Sequence, residues 1–433
     1  MTVNPDLHGP GRAAPPQGRF PVGAAVTRTE LEGDLHPALA RLRAAEPVSW
    51  LPVLGGWLVT RRDLALRVLR DSKAFTVDDP RFTTAQVVGP SMLSLDGPAH
   101  DRHRKPFSRP FSQASVDEQF AGFVTGEAER LVTGLRPAGA ADLRRGLAGP
   151  LAVAVMARAL GLGQVDPAVM LAWYDAIVGT VSGLAGNAPA GTTPQGATPA
   201  GDGVGGGDGA AAFQELSEHL LAVMRTADGT SLLAHAVGHS GLGDGHGLEP
   251  GEVVSDAAVL MFGGIETTEG MITNALLHLL SHPGQLRLVT EDPALLPNAI
   301  EESLRLEPAA AVVDRYATSD VTLGDAGVRK GDLVTVSLAG AGRDPAVFAD
   351  PDRFDARREN ARLNLAFAHG PHFCIGAYLA RLQTLAAVSA ALRVLPRLRV
   401  DDDHRSAPRG LVFRKPPQLN ALWDVAQCSD AAG

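Results

Sequence analysis

Cysteine is nearly missing from this chain: two residues in 433, Cys374 and Cys428, far apart and one of them close to the end. That argues against a disulfide framework and fits a reducing compartment. A zinc centre would need histidine or acid partners at ligand spacing, and Cys428 has none nearby. Excess positive charge is also missing. The formal net charge is −9, which disfavours nucleic acid as the main partner. No uninterrupted apolar run is long enough to span a membrane. The first 27 residues are rich in Pro, Gly and Ala and lack the apolar centre of a signal peptide. The expectation is a soluble, cytoplasmic protein with no membrane partner, a loose arm over residues 1–27 and a short tail over 426–433. What is abundant is hydrophobic content, 45 % over 433 residues, enough for one large core. A single domain over 28–425 follows.

Helical periodicity dominates that span. Candidates are Pro37–Ala45, Arg62–Arg70, Ser115–Leu135, Leu147–Leu162, Pro167–Leu184, Ala210–Thr226, Glu252–Ser281, Pro297–Leu306 and Ile375–Leu395. Strand-like alternation is sparser: WLVT from Trp57, and Val321–Leu338, which reads as strand, Gly-rich turns, strand. The fold class is mainly α with small β-sheets. Gly186–Gly209 stands apart as a low-complexity stretch with no hydrophobic period, either a tolerated surface insertion or a mobile lid.

The placement of Cys374 is the first chemical clue. It sits in FAHGPHFCIGAYLAR, with glycines on both sides, His369 and His372 before it, and apolar residues at helical spacing after it, until Pro396 stops the pattern. A thiol just before a helix meets unpaired backbone N–H groups, which favour a thiolate. Gly370 and Gly376 allow tight turns and close approach of a flat ligand. From this stretch alone, a buried inert thiol and a Cys–His nucleophile using His369 or His372 both remain open.

A second clue lies in the long helix pattern. Gly263 and Gly264 interrupt an apolar run, each at a cost of about 1 kcal/mol relative to Ala. Glu266, Thr267 and Thr268 follow. This reads as an opening beside a ligand, or as a buried helix with a back-bonded threonine. Glu269 lies about 200° around the axis from Thr267 and suits a structural salt bridge. Glu302 and Arg305 share a face at i,i+3 spacing, and DPAVFADPDRF follows at Asp344–Phe354.

Phe367, Gly370, His372, Cys374 and Gly376 together closely resemble the haem-binding loop of the cytochrome P450 family. Gly263 to Thr268 resemble its distal helix motif, Glu302-x-x-Arg305 its core ion pair, and Asp344–Phe354 its meander. The resemblance covers about Leu39 to Leu422, in family order. It implies the mainly helical prism of that family, with haem b (iron protoporphyrin IX) bound between the Glu252–Ser281 and Ile375–Leu395 helices. It implies Cys374 as axial thiolate, which pushes electron density toward O–O cleavage. Phe367 and Gly264 would border the haem. Glu266 and Thr267 would manage protons, and His100, Arg104, Arg315 and His372 would hold the propionates. Arg353 would be third partner of Glu302 and Arg305. The implied activity is a monooxygenase acting on a largely apolar small molecule of secondary metabolism. Coupling, nitration, epoxidation or dealkylation, and a non-catalytic haem sensor, are alternatives. No flavin or iron–sulfur motif is present, so electrons would come from a ferredoxin and an NAD(P)H-dependent reductase. They would enter near Arg102, Lys105, Arg109, Arg357 and Arg358. Two departures stand out: Gly263 replaces the commoner Ala, and Asn364 stands where a His often precedes the haem loop.

Overall fold

The 32-residue helix Pro250–Ser281 is apolar on nearly all sides, and such a helix belongs inside a core. It starts at a capping box between Glu249 and Glu252 with Pro250 in the first turn, where its missing N–H costs nothing. It ends at His282, before Pro283. Around it pack Gly149–Leu160, Gly209–Thr226, Leu296–Leu306 and Ala377–Val394. Ala377–Val394 packs in turn on Gln113–Leu135. The computed structural model describes residues 18–186, 209–226, 247–425 and Leu233. Gly186–Gly209, apart from its two end residues, and Cys428 with the expected tail lie outside the described residues.

A five-stranded sheet flanks the helices in the order Val48–Leu51, Gly56–Val59, Leu333–Ser337, Val312–Ala317, Phe75–Thr76. Only the Gly56–Val59 and Leu333–Ser337 pair is parallel. Smaller sheets pair Val321–Leu323 with Ala326–Val328, and Asn420–Leu422 with Ala140–Asp142 and Arg399–Val400. Of the expected loose arm, residues 18–27 are packed: Phe20 meets Trp57 edge-on at 5.1 Å and Val26 is buried. Among the described residues, no helix is long and apolar enough to cross a membrane.

Gly97–Ser108 forms a helix that periodicity did not suggest. It is polar and contains Pro106. Tertiary bonds hold it: His103 Nδ1 lies 2.9 Å from Asp256 Oδ2, and Arg102 Nη1 donates to Glu252 Oε2 at 2.7 Å. Both acids lie on the long helix.

The Glu302–Arg305 pair is fully buried, with Nε to Oε2 at 2.6 Å and Nη2 to Oε1 at 2.8 Å. The third partner is Arg358, not Arg353: Arg358 Nε donates to Glu302 Oε1 at 2.9 Å. Arg353 contributes its carbonyl oxygen to Arg305 instead. The meander turns through Asp350 at φ 43°. Arg358 is therefore also removed from the expected electron-entry patch, and Arg102 is neutralised there by Glu252.

Candidate active site

A cavity of about 370 Å³ separates the long helix from the cysteine loop. The loop is built by short-range bonds. Cys374 N–H donates to Phe367 O at 2.9 Å, and Phe373 N–H to Gly370 O at 3.0 Å. Gly370 has φ 77°, and a Cβ there would lie 2.4 Å from Leu69 O, so only glycine fits. Phe367 lies under the Arg381 guanidinium at 4.4 Å, and Arg381 is anchored by Glu301. Asn364 also donates to Glu301, at 3.0 Å. Cys374 precedes the helix, which begins at Ala377. It sits deep in the protein, yet its side chain is accessible because it lines the cavity. Burial pushes its thiol up; the Gly376 N–H, Arg104 and Arg381 act against this and only in part offset it. The helix terminus alone thus leaves the sulfur short of a thiolate, and a cation at the sulfur would supply the difference.

Across the cavity, Gly263, Gly264 and Thr267 are the accessible positions in an otherwise buried stretch of helix. The two glycines differ. A Cβ at Gly263 would meet nothing within 4 Å, so this position opens onto the cavity. A Cβ at Gly264 would lie 2.4 Å from Met156 Sδ, so this glycine also serves the packing of Gly149–Leu160 on the long helix. Thr267 Oγ1 donates to Gly263 O at 2.6 Å, the bond of a back-bonded threonine, while lining the cavity. Glu266 does not line it. Its carboxylate accepts from Lys415 Nζ at 2.8 Å, and Lys415 also bonds Glu269.

Of the four expected cationic groups, Arg104, Arg315 and His372 line the cavity, and His100 sits beside His372. The His100 and His372 rings lie 4.5 Å apart. His372 Nε2 is 2.9 Å from Asp96 Oδ1, and Arg104 Nη2 donates to Phe373 O at 2.6 Å. Arg315 is buried and donates to Asp314 O at 2.7 Å. Burial raises the Asp96 carboxyl, but its bonds from His372, Thr76 and the Val77 N–H outweigh that and hold it down at about 2. Burial, with the charges of His372 and Arg104, pushes His100 below its ordinary value. Burial pulls Arg315 down to about 10 even with Asp96 and Asp314 near. His100 Nε2 is buried with no hydrogen-bond partner among the described residues. An unpaired buried imidazole nitrogen and an under-compensated guanidinium fit an anionic ligand edge. Haem offers that through its propionates, and the accessible thiol offers its iron a ligand. The residues present fit the group.

Asp96, Met156 and Lys415 were absent from the sequence reading. Asp96 opens the DGPAHDRHRKPF stretch as the residue before the helix, a weak local signal. Lys415 carries none, since it is 149 residues from Glu266.

Comparisons with known proteins agree with this geometry. The family model described as Cytochrome P450 matches residues 214–417. The chain is 35 % identical to cytochrome P450 monooxygenase PikC of Streptomyces venezuelae, over 91 % of this chain and 90 % of that protein. It is 32 % identical to nocardicin C N-oxygenase of Nocardia uniformis subsp. tsuyamanensis, over 90 % of this chain and 96 % of that one. The crystal structure of CalO2 superposes with a TM-score of 0.80 at 30 % identity, covering 93 % of this chain and 99 % of that chain.

Proposed function

The chain belongs to the cytochrome P450 family and is a haem-thiolate monooxygenase, and from that premise we propose that Cys374 would supply the sulfur that holds the haem iron and that the cavity takes a largely apolar small molecule of secondary metabolism. The observation that carries the assignment is one accessible thiol facing Gly263 and Thr267 across the cavity, with Arg104, Arg315 and His372 in the lining and His100, its Nε2 without a partner among the described residues, beside His372. The group we propose is haem b: His100, Arg104, Arg315 and His372 would hold its two propionates, and Phe367 and Gly264 would border it. Bound haem supplies reductive activation of dioxygen, with one oxygen atom inserted into substrate and the other released as water.

The chain's residues do the rest. Cys374 donates electron density through its sulfur. Thr267 holds a proton at Oγ1 beside the open position at Gly263, and its oxygen can still accept while it donates to Gly263 O. Glu266 acts as the acid behind it, reaching Thr267 through water. Apolar walls such as Val259, Val313 and Phe413 orient substrate by shape and exclude water. The electron donor we propose is a ferredoxin with an NAD(P)H-dependent reductase. The exposed Lys105 and Arg109, on and just past the helix that contacts Phe373 through Arg104, support entry there.

The test is the spectrum of the reduced carbon monoxide complex. Wild type and Cys428→Ala are expected to show the red-shifted Soret band of thiolate ligation, and Cys374→His to lose it. The reverse pattern would overturn the ligand assignment.

A further inference from the structure

Two acids of the long helix, Glu266 and Glu269, stand three residues apart on one flank, each about 6 % exposed. Like charges so placed repel, and burial removes the water that would screen them. Lys415 lies between them, its side chain 12 % exposed. Its Nζ donates to Glu266 Oε2 at 2.8 Å and to Glu269 Oε2. Arg144 supplies a second cation to Glu269, with Nη2 3.2 Å from Oε2, and is itself held by Pro417 O at 2.7 Å. Arg145 and, on the neighbouring helix Pro167–Gly186, the accessible Asp175 complete the charged surroundings. Burial raises the Asp175 carboxyl, against the pull of Arg145, Lys415 and Arg144. Glu269 has Arg144 besides Lys415, whereas Glu266 has no other cation in an ion pair among the described residues.

Lys415 ends the short segment that faces the ligand space. Val412 and Phe413 line the cavity, and Phe413 packs edge-on against Phe262 of the long helix at 5.4 Å. The segment is sewn to another cavity wall: Ala311 N–H donates to Val412 O and Arg414 N–H to Ala309 O, both at 2.8 Å. Arg414 is locked by Glu307 at 2.6 Å. The ammonium that meets Glu266 is therefore mounted on a rigid piece of the substrate wall rather than on a free surface chain.

We infer that Lys415 is the positioning residue for Glu266: it holds that carboxylate off the cavity wall, and it does so from the wall segment that carries Val412 and Phe413. This rests on the reading of Glu266 as the acid of proton delivery. Removing the ammonium leaves a buried carboxylate whose charged form has lost its partner, so its proton affinity rises toward neutral pH.

The test uses the haem-loaded full chain of wild type, Lys415→Met, Lys415→Arg and the double variant Lys415→Met with Glu266→Gln. Infrared pH-difference spectra read the carbonyl stretch of a protonated carboxyl. Melting temperature is followed from about pH 5 to pH 9. Peroxide formed per NADPH is measured with a surrogate ferredoxin pair and no added organic ligand. Lys415→Met is expected to gain a carboxyl band, to lose stability as pH rises, and to change its peroxide fraction roughly threefold or more between about pH 6 and pH 8. Lys415→Arg keeps the charge and should behave as wild type. The double variant should lose both the band and the pH dependence. If Lys415→Met does not fold, the double variant, which removes both charges together, is expected to fold. Lys415→Met with wild-type spectra and pH profiles, or a double variant that keeps the band, overturns the inference. Glu266→Gln alone separates the underlying reading: an unchanged peroxide fraction there refutes the relay, while the infrared and stability results still decide Lys415.

Discussion

Gly263 and Gly264 receive the same substitution in adjacent positions and should respond with opposite sign. In a helix interior, Ala is favoured over Gly by about 1 kcal/mol. At Gly263 the added methyl meets nothing within 4 Å, so the whole gain is kept and Gly263→Ala should stabilise by about 1 kcal/mol. At Gly264 the methyl would lie 2.4 Å from Met156 Sδ, 3.0 Å from Cγ and 3.2 Å from Cε. Met156 bends easily, yet it is buried in the core cluster and has to displace neighbours. Overpacking of this kind costs about 1–3 kcal/mol, so Gly264→Ala should fall between neutral and about 2 kcal/mol less stable. The gap between the variants is then about 1–3 kcal/mol. Urea titration is the suitable assay, with the slope checked for constancy. A 433-residue chain shifts its melting temperature by only about 1 °C per kcal/mol. Equal stability of the two variants, or a destabilised Gly263→Ala, would refute the reading that Gly263 faces open space while Gly264 is packed on Met156.

Thr267→Ala should bind haem and substrate nearly as before and divert reducing equivalents to peroxide; fully coupled turnover would refute its proton role. Burial pushes His278 down to about 3, against the charge of Glu307, so the folded protein keeps it neutral where the unfolded chain takes a proton. Its contribution is intact above about pH 6.5 and is lost as pH falls toward 3, at about 1.4 kcal/mol per pH unit. His278→Gln should flatten the urea-derived stability between about pH 4 and pH 6 by that slope, and an unchanged slope would count against it. Lys105→Glu with Arg109→Glu should slow ferredoxin-driven reduction in stopped flow at low salt and leave substrate affinity alone; equal rates would move docking elsewhere.

Sequence carried the parts of the site that are local. The Phe367–Gly376 loop, the Gly263–Thr268 stretch and the Glu302–Arg305 pair are each written within ten residues, so spacing alone brings their side chains together. The partners of Glu266 and of His372 are different. Lys415 and Asp96 reach them across 149 and 276 residues, and no periodicity encodes such meetings. The Gly97–Ser108 helix was missed for a related reason: it has no apolar stripe and is held by acids on the long helix. The exchange of Arg353 for Arg358 has a similar origin: Arg358 reaches Glu302 across 56 residues, which no local spacing encodes.

The meander has a consequence for how this sequence can drift. Arg305 reads the carbonyl oxygens of Gly342, Pro351 and Arg353, and Arg358 reads those of Ala349, Asp350 and Arg353. Asn360 adds Val347 O. Every residue type carries a carbonyl, so these grips are blind to the side chains they hold. Most of the segment's chemical identity is concentrated in a few gripping residues, and positions such as Ala346 and Ala349 are left free to vary. A randomised library over those two should yield mostly folded protein, while the single change Arg305→Lys, which removes the planar fork, should empty it. Specification here belongs to the grip and not to the gripped, so alignment-based reading of the loop will find little to follow although its path is fixed.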